Sequence, residues 1–175
     1  MVSQFEGAEF MHKQDVYDFL NDNNVDYEAI EHGAVWTMDE LCDVELPHKE
    51  ADAKNLFIRD DKKNNYYLIS VRGNKHLDIK AFRKLHETRP LKFCQVEELK
   101  DKLDIYAGAV SPFGIMNNVD KDVTFFIDED FFADEGLIGC HPNDNTATVF
   151  LKADDLVKLL QAHGNNVVKT QIPEK

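Results

Sequence analysis

A chain of 175 residues suffices for one domain and is short for two, and its 43% hydrophobic content can fill a core, which excludes wholesale disorder. No apolar run approaches the ~20 residues of a membrane span, and the first ten residues carry Glu6 and Glu9 but no Lys or Arg, unlike a signal peptide. A net charge of −13 argues against a long polyanionic partner, and together these features predict a cytoplasmic protein.

Residues 1–11 lack periodicity and are expected to form a tail, native or appended, with Met11 a second possible start. Val16, Phe19 and Leu20 then recur at helical spacing, predicting a helix over 12–22 that ends in Asn21–Asn24. Val25 to Glu31 reads as a strand, Thr37 with Glu40 as a capping box for a short helix, and Leu46-Pro47 as a break. Asn55 to Ile58 and Tyr66 to Val71 are apolar runs joined by the polar turn Arg59–Asn65, a β-hairpin buried on both faces. Helices are expected over Asp78–Leu85, Val96–Leu103 and Asp154–His163, the last capped by Gly164. Val123–Asp128, Leu137–Cys140 and Thr146–Leu151 complete the strands. Without strict βαβ alternation, the pattern predicts an α+β fold: a mixed, strongly curved sheet or barrel flanked by helices, in a single domain over 12–170.

Charge is unevenly placed. Residues 1–53 hold 2 Lys/Arg against 14 Asp/Glu, whereas 54–102 hold 13 against 7. This middle block could touch a few phosphates, with Lys62, Lys63, Arg72, Lys75, Lys80, Arg83 and Lys84 as candidates, or it could simply be a solvated face. Cys42, Cys94 and Cys140 are far apart and form no C-x-x-C, so free thiols are expected rather than disulfides or a zinc ribbon. The seven histidines show no metal-ligand spacing, and no metal or other cofactor is expected. Phosphate-loop, dinucleotide, zinc-protease and serine-hydrolase signatures are absent. Cys140-His141 is not a nucleophile–base pair, because neighbours on a strand point to opposite faces.

Three segments could carry chemistry. Lys54 opens the buried strand Lys54-Asn55-Leu56-Phe57, where its ammonium can enter a cleft or snorkel to water. Gly108 to Gly114, with Ser111-Pro112, forms a bend whose N–H groups could hold a carbonyl or anion. His141-Pro142-Asn143-Asp144-Asn145-Thr146-Ala147-Thr148 is a polar turn entering a strand.

In this order and spacing, the three segments together resemble the YbaK/prolyl-tRNA-synthetase-associated editing family. Lys54 to Phe57 resembles its K-N-L-F strand, Gly108 to Pro112 its G-x-x-x-P loop, and His141 to Thr148 its H-P-x-x-N-x-A-T signature. The resemblance spans residues 12–165 and is strongest to the free-standing ProX/PrdX-like branch. Asn143-Asp144 stands where Leu-Thr is common, and Gly114-Ile115 also departs from the pattern; both bear on amino-acid preference rather than fold.

The resemblance implies a hydrolase that deacylates mischarged aminoacyl-tRNA, with alanine on proline tRNA the expected substrate. Deacylation of Cys- or Ser-charged tRNA, or a non-catalytic binding or regulatory module of the same fold, are the alternatives. It implies Lys54 and His141 as catalytic residues and Asn55, Gly108, Ser111, Pro112 and Asn145 around the substrate, with the charged tRNA acceptor end as partner.

Overall fold

The computed structural model describes residues 10–36, 40 and 45–175 of the chain. Most of the expected tail, the Thr37 capping box and Cys42 lie outside the described residues.

Helix α1 (Lys13–Asp22) buries Val16 and Leu20, and the His12 N–H donates to Asp15 Oδ2 at 3.0 Å to close its first turn. Strand β1 (Tyr27–Glu31) starts two residues later than expected, after Asn24 turns the chain at φ +54°. A single 3-10 turn (Lys49–Ala51) leads into the hairpin of β2 (Ala53–Asp60) and β3 (Tyr66–Arg72). The buried Asp60 carboxylate builds the connecting turn: it accepts from the N–H of Lys62 (3.1 Å) and Asn64 (2.9 Å) and from Asn65 Nδ2 (2.8 Å). Burial alone would raise its pKa, but these donors hold it below the usual carboxylate value.

Helix α2 (Ile79–His86) is capped by Asp78, which accepts from the Ala81 N–H at 3.0 Å. Strand β4 (Leu91–Phe93), helix α3 (Val96–Leu103), 3-10 turns at Ala107–Ala109 and Pro112–Asn117, and strand β5 (Val123–Asp128) follow. Strands β6 (Leu137–Cys140) and β7 (Ala147–Lys152), helix α4 (Ala153–Ala162) and strand β8 (Asn166–Thr170) complete the chain. Gly164 takes φ +96° beyond α4, the left-handed position expected of it.

Two sheets form, one of order β1-β7-β6 and one of order β4-β2-β3-β5-β8. The larger is mixed, with β2 antiparallel to β3 and β4, and β5 parallel to β3 and β8. They meet at one parallel bridge, Asp52 to Gly139, where the approach to β2 touches β6. The mixed α+β arrangement is the one expected, but one bridge is not a ladder, and among the described residues no barrel closes.

The main core joins both sheets. It takes Phe57, Leu68, Phe125 and Ile127 from the larger and Ile138, Cys140, Val149 and Leu151 from the smaller, with Leu20, Leu103 and Leu160 from the helices. A second cluster, including Ile58, Ile69, Val71, Phe82 and Phe126, lies on the other face of the larger sheet, under α2. The central hairpin is therefore buried on both faces, as its unbroken apolar runs require.

Candidate active site

At the seam between the sheets lies a cleft of about 150 Å³. The start of β2 (Asp52 to Asn55) and the end of β6 with His141 form two walls; the 107–110 loop and Val35-Trp36 form the others. Lys54, Asn55, Gly108 and His141, four residues expected at the site, thus share one cavity although they are scattered over nearly ninety positions of sequence.

The cleft is narrow because rings press on backbone. A Cβ on Gly108 would meet the Trp36 ring at 2.6 Å, and one on Gly139 would meet the Phe150 ring at 2.5 Å. Only glycine allows either approach.

His141 is held in one tautomer. Its Nδ1 lies 2.7 Å from the Ala147 carbonyl oxygen, an acceptor only, so Nδ1 carries the proton and Nε2 a lone pair. Burial depresses its pKa, with the Ala147 carbonyl opposing, so the ring is neutral at pH 7. His32 lies beside it, ring centroids 6.1 Å apart, and its Nε2 is 2.9 Å from Thr148 Oγ1 on the cleft wall.

Lys54 is half-buried and, among the described residues, its ammonium makes no hydrogen bond or ion pair. It pairs with Val71 across the hairpin and so shares that residue's face, while Asn55 faces the main-core side with Ser70. Asn55 Nδ2 donates to the Val110 carbonyl at 3.2 Å, and its Oδ1 accepts from the Ser70 hydroxyl. Asn55 therefore ties the 107–110 loop to the hairpin.

Three other expected residues stand behind the cleft rather than in it. Ser111 and Pro112 are buried; the Ser111 hydroxyl accepts from the Phe113 N–H at 3.2 Å, and Pro112 opens the 3-10 turn that fixes the loop. Asn145 is also buried: Nδ2 donates to the Val35 carbonyl at 2.8 Å and Oδ1 accepts from the Tyr106 hydroxyl at 2.9 Å. It clamps two walls together, so for all three the contact with the cleft is indirect. Cys140 packs in the core and burial pushes its thiol up to about 12, which removes it as a nucleophile.

One cleft residue was not anticipated. Asp52 is only 6% exposed, and its carboxylate has no hydrogen-bond partner among the described residues. Burial pushes it up to about 7. Nothing in Lys49-Glu50-Ala51-Asp52 distinguishes it from a surface acid; its burial follows from the bridge to Gly139, a contact between residues far apart in sequence. Among the described residues, no group of three His, Cys, Asp or Glu side chains could hold a metal ion.

This cleft sits within the match to a known family: aminoacyl-tRNA editing domains match residues 32–159, most of the chain. The chain belongs to the aminoacyl-tRNA editing domain family. It is 33% identical over 153 residues to the prolyl-tRNA editing protein ProX of Acetoanaerobium sticklandii, covering 87% of this chain and 93% of that protein. It is 30% identical over 150 residues to the prolyl-tRNA synthetase associated domain-containing protein 1 of Mus musculus, covering 81% and 85% of the two chains. The crystal structure of a proposed trans-editing enzyme for prolyl tRNA synthetase superposes with a TM-score of 0.68 at 20% identity, over 93% of this chain and 97% of that one. The editing domain is thus an aminoacyl-tRNA deacylase of the YbaK/prolyl-tRNA-synthetase-associated type.

The basic residues of this editing domain do not gather at the cleft. Lys75 is removed from the phosphate-contact set: it is buried, with Nζ 2.9 Å from Asp128 and 3.2 Å from Asp130, which hold its ammonium inside. Arg72 lies at the cleft end of the hairpin but donates to the Glu50 and Asp130 carbonyls at 2.9 and 3.1 Å. Lys80 and Lys84 are exposed on α2 with Arg83 half-buried beside them. Lys62 and Lys63 are exposed in the β2–β3 turn, about 20 Å from Lys54 along six strand residues.

Proposed function

We propose that this editing domain removes alanine from proline tRNA by hydrolysing the ester to the terminal ribose, leaving correctly charged prolyl-tRNA intact. The observation that carries the proposal is the size of the cleft, narrowed by the Trp36 and Phe150 rings against Gly108 and Gly139. A synthetase pocket built for proline excludes smaller alanine poorly, because missing methylenes are worth about 1–3 kcal/mol. A second pocket that admits only the smaller amino acid restores accuracy. The ProX relative is named for prolyl-tRNA editing, which supports the choice of tRNA.

In this mechanism water attacks the ester carbonyl, the bond to the ribose oxygen breaks, and the proton from water ends on that oxygen. Neutral His141 offers Nε2 to accept and return the proton. Lys54, free of other polar partners among the described residues, counters the negative charge on the carbonyl oxygen, helped by N–H groups of the Gly108 loop. Trp36 on the cleft wall and Tyr106 beside it, both exposed, with ring centroids 5.8 Å apart, suit stacking against the terminal base of the acceptor end. Lys62, Lys63, Lys80, Arg83 and Lys84 are the proposed phosphate contacts. Such an enzyme works in the cytoplasm, on charged tRNA, over a domain spanning residues 12–170.

The two sequence departures favour no other amino acid. Asn143 (φ +59°) donates to the Met11 carbonyl at 2.9 Å, Asp144 Oδ1 accepts from the Thr146 N–H at 2.9 Å, and Gly114 is buried against Ile105 and Leu103. None of them lines the cleft. The test is multiple-turnover deacylation of one tRNA charged with alanine, serine or cysteine. Alanine should be released fastest; faster release of cysteine would move the specificity, and binding without turnover would make the protein a regulator.

A further inference from the structure

Asp52 is the unexplained group in the cleft. A carboxylate this buried normally collects several hydrogen bonds, because an unpaired buried charge is costly. Lys75 shows the usual solution in the same chain, sharing Asp128 and Asp130. Asp52 has no such partner among the described residues, and its Oδ1 is wholly shielded from solvent. Lys49 acts on it only through space, and Glu50 opposes Lys49. Gly139 packs close against it: a Cβ there would stand 3.0 Å from Oδ1 and 2.5 Å from the Phe150 ring, so on that side the carboxylate is closed in. The carboxylate is therefore held in the cleft wall by the bridge between the two sheets, with its hydrogen-bonding capacity unused.

A ligand that satisfies Asp52 must bring a small cation with several N–H donors. Taking the editing reading as its basis, we propose that Asp52 binds the α-ammonium of the esterified amino acid, making it a specificity residue for unblocked aminoacyl esters. The α-ammonium is the one cation every aminoacyl ester carries beside its reacting carbonyl. An ion pair made in a desolvated cleft is much stronger than one in water, and it fixes the orientation of the carbonyl toward Lys54 and His141. Esters whose nitrogen is acylated, as in peptidyl-tRNA, or replaced by hydroxyl, keep a single neutral donor and lose the ion pair that offsets the buried charge. Size then excludes larger side chains, and Asp52 excludes blocked amino groups.

The experiment compares the wild type and Asp52→Asn on one tRNA carrying alanine, lactate (the α-hydroxy analogue) or N-acetylalanine. The wild type should show kcat/KM for alanine at least about tenfold above that for lactate. Asp52→Asn should lose at least about tenfold on the alanyl ester, keep its rate on the lactyl ester, and so lose the preference. Because the buried Asp52 carboxyl has no hydrogen bond to lose among the described residues, the variant should melt no lower than the wild type, which separates loss of the contact from loss of the fold. A wild type with no preference for alanyl over lactyl ester overturns the assignment whatever the variant does. So does an Asp52→Asn protein that keeps the wild-type ratio. Failure of the wild type to hydrolyse any of these esters would instead sink the editing reading beneath it.

Discussion

In the proposed mechanism Lys54 and His141 divide the work of the cleft by what holds them. His141 is fixed by one short hydrogen bond to the Ala147 carbonyl and kept neutral by burial, so it can exchange a proton without first losing one. Lys54 has no polar partner to compete with a developing oxyanion among the described residues. Lys54→Ala should lower kcat/KM for alanyl-tRNA by at least about tenfold, a loss of roughly 1.4 kcal/mol of transition-state stabilisation, with an unchanged melting temperature. Partial activity in Lys54→Arg would identify charge rather than proton transfer as its contribution. An unchanged rate in Lys54→Ala would remove it from the mechanism. At this scale the sequence was legible where a motif names a residue, as for Lys54, Asn55, Gly108 and His141. It was less so for roles: Ser111, Pro112 and Asn145 belong to the same motifs but stand behind the wall, because motif membership does not distinguish touching a substrate from holding what touches it. Asp52 belonged to no motif, and only the meeting of two sheets buries it.

Among the elements, long runs with clear periodicity formed as expected. Val96–Leu103, Val123–Asp128 and Leu137–Cys140 have the predicted boundaries, and Asp60 supplies the turn for the β2–β3 hairpin. Strands β4 and β8 were not anticipated. Leu91-Lys92-Phe93 is too short to show a period, and Asn166–Thr170 is an edge strand whose pairing with β5 is set by the sheet rather than by its own residues. The basic block resolves by element as well: Lys75 is internal, Arg72 is tied to backbone carbonyls, and α2 keeps Lys80 and Lys84 in solvent. Reversing the charge of Lys80 and Lys84 together should raise KM for charged tRNA and flatten the slope of log affinity against log salt by about 1 to 2. Hydrolysis of a minimal aminoacyl-nucleotide should stay unchanged, since the cleft is untouched. A salt slope equal to that of the wild type would make α2 an ordinary solvated face.

For the whole molecule, the two sheets matter more than any one strand. Neither sheet alone contains the cleft: β2 supplies Lys54 and Asn55, β6 supplies Gly139 and leads to His141, and the bridge at Asp52 brings them together. The main core spans both sheets, so the width of the cleft is set by close packing that yields little to an added methylene; overpacking costs about 1–3 kcal/mol. The central claim is that this rigid seam admits alanine and refuses proline. The most direct measurement is the ratio of initial deacylation rates on the same proline tRNA charged with alanine or with proline. Two added heavy atoms against a closed wall predict a ratio of about 100 or more. Equal rates would contradict the account, because an enzyme that destroys the correct product corrects nothing.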